Sequence, residues 1–130
     1  MSKEQFIFVS RYGGKFYYSD REMKNLHRED GPAIEFEYGI KEWYINGRLH
    51  REDGPAIECA DGTKWWYIND KRHREDGPAI EWADGTKSWF IDGKWLSEDE
   101  FNARMNPVEL TLEDIAEKFG VSVDQLKIKK

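Results

Sequence analysis

The chain has 130 residues, with 20 Lys+Arg against 26 Asp+Glu for a formal net charge of −6. That length predicts a single domain, and 15% aromatic residues, six of them Trp, set the chain apart from a disordered one despite 35% charged residues and a mean hydropathy of −0.88. No apolar run is long enough to span a bilayer, a single cysteine excludes an internal disulfide, and the acidic balance argues against nonspecific binding to nucleic acid or anionic lipid.

Residues 1–26 carry five basic and three acidic side chains, the only net-positive stretch. Phe6-Ile7-Phe8-Val9, Gly13-Gly14 and Lys15-Phe16-Tyr17-Tyr18 predict a degenerate first hairpin. Its return towards His27 is long, as expected of a unit that caps a repeat array. No charged-then-apolar leader follows Met1, and with one cysteine this predicts a reducing, cytoplasmic setting.

Residues 27–95 hold an internal repeat. His27-Arg28-Glu29-Asp30-Gly31-Pro32-Ala33-Ile34-Glu35 recurs unchanged from His50 to Glu58 and from His73 to Glu81, a period of 23 residues. Each unit continues through a first turn pair (Tyr38-Gly39, Asp61-Gly62, Asp84-Gly85), a lysine, an aromatic pair and a second turn pair (Asn46-Gly47, Asn69-Asp70, Asp92-Gly93). Asp-Gly and Asn-Gly favour two-residue hairpin loops, because both central residues need positive φ. Three hairpin units in an antiparallel meander follow.

Two-residue loops at the first turns place Ile57 opposite Trp66, and equivalently Ile34 opposite Trp43 and Ile80 opposite Trp89. Alternation then predicts an apolar core face of Ile34/Trp43, Ile57/Trp66 and Ile80/Trp89, completed by Phe36, Cys59 and Trp82. The other face would carry Ala33, Glu35 and Tyr44, then Ala56, Glu58 and Tyr67, then Ala79, Glu81 and Phe90. Across the second turns the same register sets Trp43 against His50, Trp66 against His73, Glu42 against Arg51 and Trp65 against Arg74.

Residues 96–130 form a net-negative tail with helical signals. Ser97 and Glu100 fit a capping box ahead of Phe101 and Met105, and Pro107 would stop that helix. Thr111 would cap a second helix bearing Leu112, Ile115, Ala116 and Phe119 and ending at Gly120. Short strands are expected at Val108-Glu109-Leu110 and Leu126 to Lys129. These helices are the segments available to cover the sheet or to cap its end.

The His-Arg-Glu-Asp-Gly-Pro segments, the Asp-Gly-Thr-Lys-x-Trp run and the closing Asp-Gly-Lys at a 23-residue period resemble the MORN-type repeat, a ribbon of antiparallel hairpins. The nearer likeness is to the MORN-like repeat proteins of large tailed bacteriophages and giant viruses. It covers about residues 12–95 and implies a mainly β ribbon that acts as a scaffold or interaction surface, encoded by a phage and working in the host cytoplasm. The family's Gly-x-Gly after the histidine is replaced here by Arg-Glu-Asp-Gly-Pro, which counts against its lipid-binding role.

The charged segments invite a metal or catalytic reading, and the spacing argues against both. Equivalent residues two strands apart lie about 9–10 Å from each other, whereas zinc ligands lie about 2 Å from the metal. His27, His50 and His73 therefore cannot converge on one ion and read as structural, each packed on a tryptophan and hydrogen-bonded to Asp or Glu. Active sites are single asymmetric constellations, but each charged motif here occurs three times, so no catalytic residue, metal or cofactor is expected. The Ile115 to Ser122 stretch looks like the start of a helix-turn-helix, but the tail lacks the cations a groove-bound helix needs.

A non-enzymatic binding module remains, one that binds and inhibits or redirects a host protein. The residue that swings most between copies, Glu42/Trp65/Ser88, marks the binding surface. Its predicted members are Trp65, Tyr67, Arg74, Glu42, Tyr44 and Phe90, since Trp, Tyr and Arg dominate interface hot spots. Two alternatives stand beside it: a nucleotide-sequestering protein with Trp65, Tyr67 and Arg74 as the clamp, and a scaffold that self-associates through open strand edges.

Overall fold

A computed structural model of the chain describes residues 4–106, 111–120, 122 and 124. Pro107 and the expected strands at 108–110 and 126–129 lie outside the described residues. The fold is mainly antiparallel β with two short helices at the C-terminal end.

The first hairpin pairs β1 (Phe6–Val9) with β2 (Lys15–Tyr18). The first repeat supplies β3 (Ile34–Glu35), β4 (Lys41–Glu42), β5 (Tyr44–Ile45) and β6 (Arg48–Leu49). The second supplies β7 (Ile57–Glu58), β8 (Lys64–Trp65), β9 (Tyr67–Ile68) and β10 (Lys71–Arg72). The third supplies β11 (Ile80–Glu81), β12 (Lys87–Ile91) and β13 (Lys94–Leu96). Among the described residues, nine of these strands form one sheet in the order β1-β2-β3-β4-β7-β8-β11-β12-β13, while β5/β6 and β9/β10 peel off as two-stranded hairpins.

The second turns form as expected. Ile45 pairs with Arg48 and Ile68 with Lys71 across two-residue loops, with Asn46 and Asn69 at φ 51° and 48°. Trp43 accordingly faces His50 and Trp66 faces His73, each histidine N–H donating to the tryptophan carbonyl. Met23 lies 23 residues before Asn46 and also has positive φ, 57°, so the N-terminal stretch keeps a trace of the same turn.

The first turns differ from expectation by one residue. Cys59 N–H donates to Thr63 O and Gly62 N–H to Cys59 O, which closes a three-residue loop in which Gly62, but not Asp61, has positive φ. Phe36/Ile40 and Trp82/Thr86 close the same way. Ile57 therefore pairs with Trp65, not Trp66, and Glu58 with Lys64. A one-residue slip moves side chains to the other face, so the expected core pairs Ile34/Trp43, Ile57/Trp66 and Ile80/Trp89 are wrong. Each isoleucine and its tryptophan lie on opposite sides.

The corrected register sorts the sheet cleanly. One face carries Lys15, Glu35, Lys41, Glu58, Lys64, Glu81 and Lys87 as successive cross-strand partners, an alternation of charge across seven strands. Such pairs contribute about 0.2–1 kcal/mol each. Ala33, Ala56 and Ala79 share this face and are fully buried, contrary to their expected place on a solvated surface. The other face carries Phe16, Ile34, Glu42, Ile57, Trp65, Ile80 and Ser88 as successive partners, with Ile34 and Ile80 buried.

At the far end, Ser97 caps α1 (Glu98–Met105), accepting the Glu100 N–H. Phe101 is buried in α1 and its ring meets Trp89 on the alanine face. Thr111 and Asp114 form a capping box for α2 (Leu112–Phe119), which ends at Gly120 in the left-handed conformation. The tail thus caps the end of the ribbon through α1, which packs on β12 and β13.

Candidate interaction surface

The nine-residue identity between copies is accounted for by structure. The Arg51 guanidinium lies 3.8 Å above the Trp43 ring; its Nε donates to Asp53 (3.1 Å) and its Nη1 to Pro55 O (3.0 Å) and Glu58 (3.1 Å). Arg28 repeats this over Tyr17 with Asp30, Pro32 O and Glu35, and Arg74 over Trp66 with Asp76, Pro78 O and Glu81. Each arginine packs closely on a glycine: a Cβ on Gly54 would stand 2.9 Å from the Arg51 guanidinium carbon, which would have to shift.

The histidines hold the units together. Asn46 N–H donates to His27 Nδ1 (2.9 Å), Asn69 N–H to His50 Nδ1 (3.1 Å) and Asp92 N–H to His73 Nδ1 (3.0 Å). With Nδ1 accepting, a neutral ring carries its proton on Nε2, where Glu29, Glu52 and Glu75 stand at 3.4–3.5 Å. Each histidine pins the second turn of its own unit. Among the described residues no three His, Cys, Asp or Glu side chains group as metal ligands.

Two expected contacts do not form. Glu42 pairs with Ile57 in the ladder and not with Arg51, because the strand changes partner at Trp43 where β5 leaves the sheet. Arg74 does not reach Trp65, since it is committed to Trp66 on the alanine face. Arg74 is the one predicted surface residue that the structure separates from the others.

The remaining five lie on the isoleucine face, and three of them, Trp65, Tyr67 and Phe90, surround a residue the sequence reading missed. Arg72 places its guanidinium 5.2 Å from both the Trp65 and the Phe90 ring centroids, and its Nε donates to the Tyr67 hydroxyl at 3.3 Å. The Tyr44 hydroxyl donates to Glu42 at 3.2 Å. Burial first, and then the Glu42 carboxylate, pushes the Tyr44 phenol up to about 12. Trp82 meets Trp65 edge-on at 6.5 Å. Cys59 shares this face, and its thiol is pushed up by burial and by Asp61 and Glu42, which disfavours a reactive thiolate. The signal for Arg72 was in the repeats: the position reads Leu49, Arg72, Trp95, as variable as Glu42, Trp65, Ser88.

The other concavities follow the repeat. Grooves of about 670 and 680 Å³ separate successive Arg-Glu-Asp loops, with Trp43 or Trp66 on the floor and exposed carboxylates on the walls. A more apolar groove of about 490 Å³ lies at the first hairpin tips, among Tyr12, Phe16, Phe36 and Tyr38.

Fold and surface together define an antiparallel β-hairpin repeat protein. Comparison with protein families, with characterised proteins and with solved structures finds no match to this chain.

Proposed function

We propose that the protein is a non-enzymatic binding module that engages a protein partner through the isoleucine face, with Trp65, Arg72 and Phe90 at its centre. The observation that carries this reading is the division between the faces. The three positions at which every copy carries a different residue, 36/59/82, 42/65/88 and 49/72/95, all belong to the isoleucine face, whereas the His-Arg-Glu-Asp-Gly-Pro segments that make the arginine and histidine contacts are identical. On that face the second and third copies bring together half-exposed Trp65, Arg72 and Phe90, the residue types of a hot spot. A nucleotide clamp fits less well, because Arg72 already occupies the space between the Trp65 and Phe90 rings. The resemblance to phage repeat proteins extends the reading to a host protein that is inhibited or redirected in the host cytoplasm.

Affinity capture from bacterial lysate with mass spectrometry tests this. The expected result is a protein retained by wild type and by Glu52→Gln but lost with Arg72→Ala, while both variants melt cooperatively. No captured protein, or capture indifferent to Arg72→Ala and Trp65→Ala, overturns the reading.

A further inference from the structure

The two edges of the nine-stranded sheet are β1 and β13, and they are built differently. A bare strand edge is an invitation to pair, and natural sheets blunt it with charged side chains or a covering element. At β13, Lys94 is exposed and α1 packs against the strand. Among the described residues neither device is present at β1: Phe6-Ile7-Phe8-Val9 carries no charge and no proline, and Ile7, Phe8 and Val9 are 51%, 48% and 57% exposed.

Hydrogen-bond directions show which groups are free. Tyr17 N–H donates to Ala33 O and Tyr17 O accepts from His27 N–H, so Tyr17 is turned away from β1. By alternation, Phe16 and Tyr18 face β1 and bond their partners Phe8 and Phe6. The amides and carbonyls of Ile7 and Val9 therefore point outwards.

We propose that β1 is the interface of a homodimer, in which two copies pair β1 with β1 antiparallel about a two-fold axis through Phe8. The edge is self-complementary in that register. Ile7 and Val9 of one copy exchange four backbone hydrogen bonds with Val9 and Ile7 of the other, and the symmetry is the isologous type that closes at two subunits. Phe8 faces Phe8 of the other copy across a close, non-hydrogen-bonded pair. This extends an aromatic row that already runs from Tyr38 to Phe36 (5.1 Å), Phe16 (5.8 Å) and Phe8 (6.0 Å) and otherwise ends at the open edge. Gln5 comes to face Arg11 and Glu4 to face Tyr12, so no like charges oppose each other. Two four-residue strands bury little area beside that of a stable specific interface, so the dimer is weak and reversible.

Sedimentation velocity from low micromolar to near-millimolar protein reads this directly, with a concentration-dependent shift from monomer to dimer expected. Val9→Pro removes an outward N–H without touching the β1–β2 ladder, so it should remain monomeric at every concentration with an unchanged melting temperature. If that variant fails to fold, Ile7→Lys replaces it with the same expected outcome. The register is tested by mild oxidation in a Cys59→Ser background. Phe8→Cys should cross-link, because Cα atoms of such a pair lie about 4.5 Å apart, within disulfide reach, and Ile7→Cys should not. A wild type monomeric throughout, a dimer unaffected by Val9→Pro and Ile7→Lys, or cross-linking through Ile7→Cys alone overturns the proposal.

Discussion

The Trp89 ring meets the Phe101 ring at a centroid distance of 6.5 Å, at the place where Tyr17, Trp43 and Trp66 each carry an arginine. Leu96-Ser97-Glu98-Asp99 stands 23 residues after His73-Arg74-Glu75-Asp76, so α1 begins where a fourth loop would. Ser97 replaces the arginine and caps the helix, and Phe101 covers Trp89, the last ring of that row. Phe101 is 3% exposed, so Phe101→Ala should lower stability by about 3–5 kcal/mol, the usual cost of deleting a buried phenylalanine. Phe119, which is 68% exposed, should tolerate the same change with little effect. Urea unfolding midpoints of the two variants check this.

Arg51 joins a ring, a turn carboxylate, a backbone carbonyl and a strand carboxylate. Arg51→Ala leaves those partners without their donor, and a loss of about 2–3 kcal/mol is expected from charge-assisted bonds of this kind. Arg51→Lys keeps the charge but not the planar fork, and should recover only part of that loss. Gly54→Ala should also destabilise by displacing the guanidinium. A double variant Arg51→Ala/Gly54→Ala should then cost less than the sum of the two single changes, which denaturant melts can measure.

The hairpin class, the repeat boundaries, the second turns and both helix caps are legible in the sequence because each depends on local chemistry. Asn46-Gly47 fixes two positive φ values by itself, and Ser97 and Thr111 announce the caps. The first turns mislead because Asp-Gly suits two loops: the Asp61 carboxylate accepts the Thr63 N–H within a three-residue loop, and only the glycine is left-handed. Tyr38 in the first copy carried the warning, since tyrosine is a poor residue for positive φ. From that one-residue slip came the wrong face for Trp43, Trp66 and Trp89; the wrong arginine beside Trp65 came from carrying the correct second-turn register past Trp66, where the strand changes partner. Arg72 was legible only by comparing copies, because its neighbours Trp65 and Phe90 belong to different units.

Titration should register the same loops. The Thr63 backbone N–H and then its hydroxyl hold Asp61 below the usual carboxylate range, and the Thr86 hydroxyl and then its N–H do so for Asp84. A carboxylate whose folded value is depressed contributes stability that is present above its unfolded value and lost as pH falls through the folded one. Stability should therefore decline below about pH 4, where free aspartate titrates. Asp61→Ala/Asp84→Ala should be less stable at neutral pH and lose less on acidification. At the alkaline end the sign reverses. Tyr44 is raised from 10.0 to about 12, so its contribution is intact below pH 10.0 and lost as pH rises towards 12. Tyr44→Phe should flatten that alkaline loss, measurable as melting temperature against pH.

The decisive variant for the binding surface is Arg72→Ala beside Trp65→Ala. Trp65 pairs with Ile57 and Ile80 and is half-buried, so its removal disturbs the sheet as well as any interface. Arg72 has a different position. It lies on the β9/β10 hairpin, outside the nine-stranded ladder, and holds Trp65, Phe90 and Tyr67 through its guanidinium. Contacts of that type contribute about 0.5–1 kcal/mol each at a partly exposed site, so Arg72→Ala should cost the fold about 1–2 kcal/mol. A hot-spot arginine costs binding at least about 2 kcal/mol when truncated, roughly a thirtyfold loss of affinity. Binding of the captured partner should therefore weaken more than the fold does. Arg72→Lys, which keeps charge but stacks less well, should fall between wild type and Arg72→Ala. Titration calorimetry for affinity and urea melts for stability separate the two effects, and parallel losses in both would assign Arg72 to the fold alone.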